Sequence, residues 1–222
     1  MLQLPFPTQL VLLRAEPRRT ADPLIRALDL IFAAALLLLL APMLLLVGCA
    51  VWASDGGAPW FVQHRLGRGG RAFACFKFRT MAPDADDRLA RLLAADPLAR
   101  AQWQRERKLP RDPRITALGR LLRLASIDEL PQLLNVVLGD MSLVGPRPIV
   151  AAEVGHYGRR FAAYCDRRPG ITGLWQVSGR SRASYPRRLA CDRLFAQRRS
   201  ASLYLRILVA TVPAVLFARG AC

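Results

Sequence analysis

SIDELPQLLNVVLGDMSLVGPRP (Ser126–Pro148) combines a helical apolar period with an acid pair at one end and a Gly-Pro-Arg-Pro turn at the other. Leu130, Leu133, Leu134, Val137 and Leu138 recur at helical spacing, and Gly139 stands where a helix C-terminus wants a residue tolerant of positive φ. The helix is predicted to start near Asp128. Ser126 with Glu129 matches the capping box S-x-x-E, and Pro131 is tolerated only in a first turn, where its missing N–H has no partner to lose. The pair Asp128-Glu129 then has two readings. In the plain one, acids in a first turn complement the helix dipole. In the functional one, the unpaired N–H groups of a helix N-terminus suit a phosphate and keep a carboxylate ionised. The second acid would hold a cation that offsets the repulsion between carboxylate and phosphate.

Composition points to a charged surface in apolar surroundings. Lys and Arg number 33 against 16 Asp and Glu, a net charge of +17, which calls for anionic partners. A hydrophobic content of 53% favours a bilayer over a nucleic-acid tail. No interleaving of aromatic and basic residues typical of RNA binding appears. The five cysteines are odd in number and show no C-x-x-C spacing, so neither a disulfide framework nor a zinc site is indicated, and a reducing compartment is the simpler reading. His64 and His156 are too few and too far apart for a metal cluster. A chain of 222 residues can form one domain with a real core, plus appendages.

Three segments follow in order. Residues 1–21 are a basic, Pro-punctuated lead-in with Arg14, Arg18 and Arg19, read as retained and cytoplasmic. Residues 22–54 are a membrane segment: Leu30 to Ser54 carries no charge and is long enough to cross a bilayer. Arginines flank both sides (Arg14, Arg18, Arg19 and Arg26 before; Arg65, Arg68 and Arg71 after), and the positive-inside rule puts both flanks on the cytoplasmic face. Pro42 removes a backbone hydrogen bond at the middle and can break the helix. From these residues alone a spanning helix and a re-entrant helix-break-helix both stay open.

Residues 55–222 are read as one domain, which the resemblance given below places on the cytoplasmic membrane surface. Runs at 60–63 and 72–79 around LGRGGR predict a β-hairpin, with Lys77 and Arg79 on one face and Phe76 and Phe78 on the other. Residues 84–108 start acidic and end basic around Pro97, an amphipathic helix either on the membrane interface or packed on the domain. Another helix begins at Asp112-Pro113-Arg114, with Leu118, Leu121 and Leu122 toward a core and Arg120 and Arg123 outward. A helix follows Pro148 to about Arg167, and Ile171, Leu174 and Val177 suggest an extended piece. By itself Trp175 reads as a core residue. Residues 186–199 are a basic helix containing Asp192, and residues 203–218 are apolar, too short to span, and interrupted by Pro213. Arg147 and Arg180, in Gly/Pro-bounded loops, suit a phosphate better than helical arginines do. The fold class is mainly α with a small β-hairpin (α+β).

With FVQHRLGRGGRAFACFKFRTM (Phe61–Met81) and RPGITGLWQVSGR (Arg168–Arg180), the opening stretch resembles the bacterial sugar transferase family. These are monotopic polyprenyl-phosphate phosphoglycosyl transferases that begin surface-polysaccharide and glycoconjugate assembly, and the resemblance runs over residues 22–212. It implies a re-entrant membrane helix at Pro42, interfacial helices and a place on the cytoplasmic face of the bacterial inner membrane, against its lipid. It implies a UDP-sugar donor whose sugar 1-phosphate passes through a covalent intermediate on Asp128 to undecaprenyl phosphate, with UMP released. It implies Mg²⁺ held by Glu129 with help from Asp128, and a diphosphate site of Lys77, Arg79, Arg123, Arg147 and Arg180. Nucleic acid is not an expected partner, and a homo-oligomer is compatible with the reading. Two positions depart from the family pattern: Ala41 where a serine commonly precedes the proline, and Tyr204 where an aspartate is common. Larger relatives carry a multi-span N-terminal region, beside which this chain looks like the minimal catalytic unit. A basic membrane anchor would need no acid pair, a nucleic-acid binder no lipid, and a polytopic transferase many more spans. The sugar and the glycan pathway are not legible.

Overall fold

The computed structural model describes residues 23–106, 109–178, 184–198 and 200–216. The lead-in 1–21 and Arg180 lie outside the described residues.

Helix α1, Pro23–Asp55, is apolar on all sides and runs through Pro42 without interruption. Pro42 removes one hydrogen bond, but the flanking Leu and Ala are strong helix formers, and the expected break is not a gap in the helix. Its 33 residues span about 50 Å. Near its start Ile25 and Ala33 are fully buried. Arg26 donates to the carbonyls of Val136 at 2.7 Å and Val137 at 3.2 Å. Asp29, also buried, accepts from Ser142 Oγ at 2.9 Å, Leu143 N at 2.8 Å and the Tyr204 hydroxyl at 2.8 Å. At the other end Val51 packs with Phe78 and Leu122. Between these anchors Leu38, Leu39, Leu45 and Leu46 are 69–80% exposed.

The hairpin is present and longer than expected: β1, Trp60–Leu66, pairs antiparallel with β2, Ala72–Phe78, from Trp60 opposite Phe78 to Leu66 opposite Ala72. Helices α2, Ala85–Ala95, and α3, Pro97–Glu106, divide at Asp96, whose carboxylate accepts from Leu98 N at 2.8 Å and Ala99 N at 3.0 Å. Helix α4, Ala117–Leu124, starts later than Asp112, because Thr116 is its cap and accepts from Gly119 N at 2.9 Å. The Asp112 carboxylate instead folds back on Arg114. Leu122 is buried but Leu121 is exposed, so the core face predicted for this helix is rotated.

Ser126 does not cap a helix. It sits in the left-handed region at φ 58° with no side-chain capping bond, and Ile127–Glu129 is a tight 3₁₀ turn. Helix α5 is Gln132–Leu138, entered through Pro131 and closed by Gly139 at φ 94°. Leu133 and Val136 are buried while Leu134, Val137 and Leu138 are exposed, again a rotation from the predicted stripe.

A parallel pair was not foreseen: β3, Ser142–Val144, beside β4, Gly170–Thr172. Three-residue strands carry no readable period. The pairing depends on small residues, since a Cβ at Gly170 would overlap the backbone nitrogen of Gly145. The single helix expected over 149–167 is instead broken into α6, Val154–Tyr157, and α7, Phe161–Cys165, around Gly158 at φ 49°. Leu174–Val177 is a helical turn, α8, rather than extended. Helices α9, Tyr185–Arg198, and α10, Ala201–Leu216, follow among the described residues, with Pro213 inside α10. The architecture is mostly helical with a small antiparallel hairpin and one long apolar N-terminal helix. Its main core joins Ile25 and Ala33 to Phe73, Cys75, Leu133, Val136, Leu143, Phe195 and Tyr204.

Candidate active site

The acid pair is set against β2 by one buried side chain. Asn135, fully buried in α5, donates from Nδ2 to Ala74 O at 2.7 Å and accepts at Oδ1 from Phe76 N at 3.0 Å. An amide side chain thereby serves as a strand neighbour on the edge of β2 that β1 leaves free. That register brings Lys77 Nζ to Glu129 Oε1 at 2.6 Å. Arg123 approaches from α4, its Nε donating to Thr80 Oγ1 at 2.9 Å. On the other side Arg65 of β1 donates to Pro148 O at 2.8 Å, which ties down the loop that carries Arg147.

The two adjacent carboxylates are pushed in opposite directions. Burial moves the Asp128 carboxyl up to about 6, the charge of Glu129 adds to this, and Lys77 and Arg123 pull against it. Burial also works against Glu129, but the Lys77 ammonium and Arg147 outweigh it and hold that carboxyl below its usual range. Environments that separate two neighbouring acids assign them different tasks. Glu129 is the paired, ionised group. Asp128 is buried and without an ion pair among the described residues.

Lys77, Arg123, Arg147, Asp128 and Glu129 are therefore brought to one place. Arg79 is placed elsewhere: β2 ends at Phe78, and Arg79 reaches back to Asp55 at the end of α1 (Nη1 to Oδ2, 2.9 Å) and to Ala58 O at 2.6 Å. Arg65 and Asn135 were missed. Both lie at positions where a strand or helix period predicts only a polar or a core residue, and their role depends on which chain segment packs opposite. Among the described residues no group of three His, Cys, Asp or Glu side chains gathers to hold a metal. Glu129, with a third of its side chain exposed, and Asp128 offer the two carboxylates that a magnesium-type ion needs when waters and phosphates supply the rest.

Beyond Arg147 the chain holds a second group of polar residues. Arg147 lies over the Trp175 ring at 5.8 Å and Arg188 at 4.6 Å. Buried Asp192 accepts from the Tyr157 hydroxyl at 3.0 Å. A cavity of about 310 Å³ opens beside this pair, between Pro146, Tyr164 and Leu189.

Comparison with known proteins places this arrangement. The bacterial sugar transferase family matches residues 20–218. The exopolysaccharide production protein ExoY of Rhizobium meliloti is 44% identical over 195 residues, covering 88% of this chain and 86% of that protein. The UDP-glucose:undecaprenyl-phosphate glucose-1-phosphate transferase of Caulobacter vibrioides is 41% identical, covering 94% of this chain and 77% of that one. The undecaprenyl-phosphate galactose phosphotransferase of Salmonella typhimurium is 41% identical over 97% of this chain, which spans 46% of that longer protein. With nearly its whole length matched and its acid pair, lysine and arginines assembled in one place, the chain is a transferase and belongs to the bacterial sugar transferase family.

Proposed function

We propose that this chain moves a sugar 1-phosphate from a UDP-sugar to undecaprenyl phosphate on the cytoplasmic face of the inner membrane. The observation that carries the reading is Asp128: a buried carboxylate without an ion pair among the described residues, next to an acid already neutralised by Lys77 and facing Arg123. An Asp128 oxygen attacks the β-phosphorus, the bond from that phosphorus to the bridging oxygen breaks, and UMP leaves with the electron pair. The sugar phosphate is then held as an acyl phosphate. An oxygen of the lipid phosphate attacks the same phosphorus, the acyl–phosphate bond breaks, and the carboxylate is regenerated with the lipid diphosphate sugar as product. Splitting one transfer into two steps is what a carboxylate nucleophile offers. Lys77, Arg65, Arg123 and Arg147 supply the positioning and charge neutralisation that phosphoryl transfer needs. Mg²⁺ held by Glu129 and Asp128 would add charge neutralisation at the phosphate oxygens.

The monotopic, re-entrant reading of α1 has its own support. Arg26 and Asp29 near one end and Val51 and Asp55 at the other all contact the same domain. A helix fastened at both ends to one domain delivers both ends to one side of a bilayer. Its exposed middle then lies in the lipid.

The test is UMP release from a panel of UDP-sugars by detergent-solubilised protein, with Mg²⁺ and undecaprenyl phosphate supplied or withheld. The proposal expects turnover with lipid, about one equivalent of UMP per chain without it, and neither from Asp128→Ala. Turnover that survives in Asp128→Ala sinks the covalent step, and no UMP from any sugar sinks the activity.

A further inference from the structure

The group of residues beyond Arg147 contains polar atoms that the fold leaves unused. Trp175 is 6% exposed, yet its Nε1–H has no hydrogen-bond partner among the described residues, and the buried hydroxyl of Tyr185 has none either. A buried donor without a partner is costly, and native chains retain few of them without a use. Both residues line one small pocket together with Arg147 and Arg188. The guanidiniums of Arg147 and Arg188 both lie over the Trp175 ring, so two like charges are held close together. Burial, followed by the charge of Arg147, lowers the pKa of Arg188.

The chemistry of this lining selects its ligand. Two guanidiniums, an indole N–H and a phenol O–H are all able to donate, the set suited to an oxyanion. The free volume is about 20 Å³, room for about one phosphate oxygen and none for a pyranose or pyrimidine ring. The guanidiniums lie over the indole ring where a sugar or base would stack. Two carboxylates share the lining, and each already accepts from the protein: Glu153 from Val150 N at 2.9 Å and Asp192 from the Tyr157 hydroxyl at 3.0 Å.

We propose that this pocket is a second phosphate site, in which Arg147, Arg188, Trp175 Nε1 and the Tyr185 hydroxyl receive a phosphate ester other than the phosphate attacked at Asp128. The inference rests on the phosphoryl-transfer reading above and extends it. Arg147, whose charge also acts on Glu129, joins the two sites. Two phosphates take part besides the one transferred: that of the leaving nucleotide and that of the lipid acceptor. Their shared chemistry is a phosphate monoester.

The experiment is a binding titration of the full chain in detergent with UMP, with decyl phosphate and with uridine, no sugar donor being present. Tyr185→Phe deletes only the unpartnered hydroxyl, Trp175→Phe removes the indole N–H together with one ring of the indole, and Arg188→Gln removes a charge. Each variant is expected to weaken one phosphate ester about tenfold, with uridine binding no better to wild type than to the variants. The unfolding temperature of unliganded Tyr185→Phe should be unchanged or higher, since no internal bond is lost. Weakening confined to UMP assigns the site to the nucleotide, and weakening confined to decyl phosphate assigns it to the lipid. Wild-type affinity for both esters in all three variants overturns the proposal, as does a drop in the unliganded stability of Tyr185→Phe without a change in binding. Because no turnover is read, the same titration on Asp128→Ala separates failure of this site from failure of the reaction.

Discussion

Asn135 is the residue through which the acid pair depends on the hairpin. Its amide bonds both a carbonyl and an N–H of β2, so Asn135→Ala leaves two buried backbone groups without partners. We expect a loss of about 2–4 kcal/mol in unfolding free energy, read by denaturant titration in detergent, together with loss of UMP release as Lys77 leaves Glu129. Asn135→Asp keeps the acceptor but not the donor and should fall between. Asp192 gives a pH signature. Burial pushes its carboxyl from 3.8 up to about 7, against the Tyr157 hydroxyl, Arg147 and Arg188. The folded chain therefore keeps a proton that the unfolded chain has already released, and stability falls as pH rises from 3.8 to about 7. Asp192→Asn should flatten that slope, by at most about 1.4 kcal/mol per pH unit. An unchanged slope in thermal unfolding between these limits would show that another group carries it.

At the scale of elements, the long helix, the hairpin and the closing Gly139 were legible because each has a strong local signature: an uncharged run, alternation around glycines, a residue suited to positive φ. The acid pair was legible as a pair but not as a 3₁₀ turn, because S-x-x-E describes a helix start equally well. Asp29 shows why other parts were hidden. It stands immediately before the uncharged run and looks like its boundary, yet it is buried at the junction of α1, β3 and α10. Its partner Tyr204, read only as a departure from a family pattern, fills that junction with a hydroxyl that donates to the carboxylate. Asp29→Ala strands three donors and should release the first half of α1, exposing it to limited proteolysis near Arg26. Tyr204→Phe removes one bond and should cost about 1 kcal/mol without changing the digestion pattern.

Over the whole molecule, the ends of α1 are about 50 Å apart along the helix and are fastened to a single domain. Single cysteines at Leu24→Cys and Gly57→Cys, in a background without other cysteines, should both react with a membrane-impermeant maleimide in inverted vesicles. Neither should react from the outside of intact cells, whereas a spanning helix would label one from each side. The net charge of +17 fits the same picture, since a basic surface would attract anionic headgroups and phosphate esters alike.

The bond between Asp29 and Tyr204 also has a consequence in time. It joins residues 175 positions apart, so at ribosomal speed the carboxylate waits about 10–35 s for its hydroxyl. Among the described helices the apolar one is thus made before the others, and its bond to α10 forms late. During that interval the helix can partition into lipid while Asp29 holds only its β3 partners, and α10 closes the junction when it arrives.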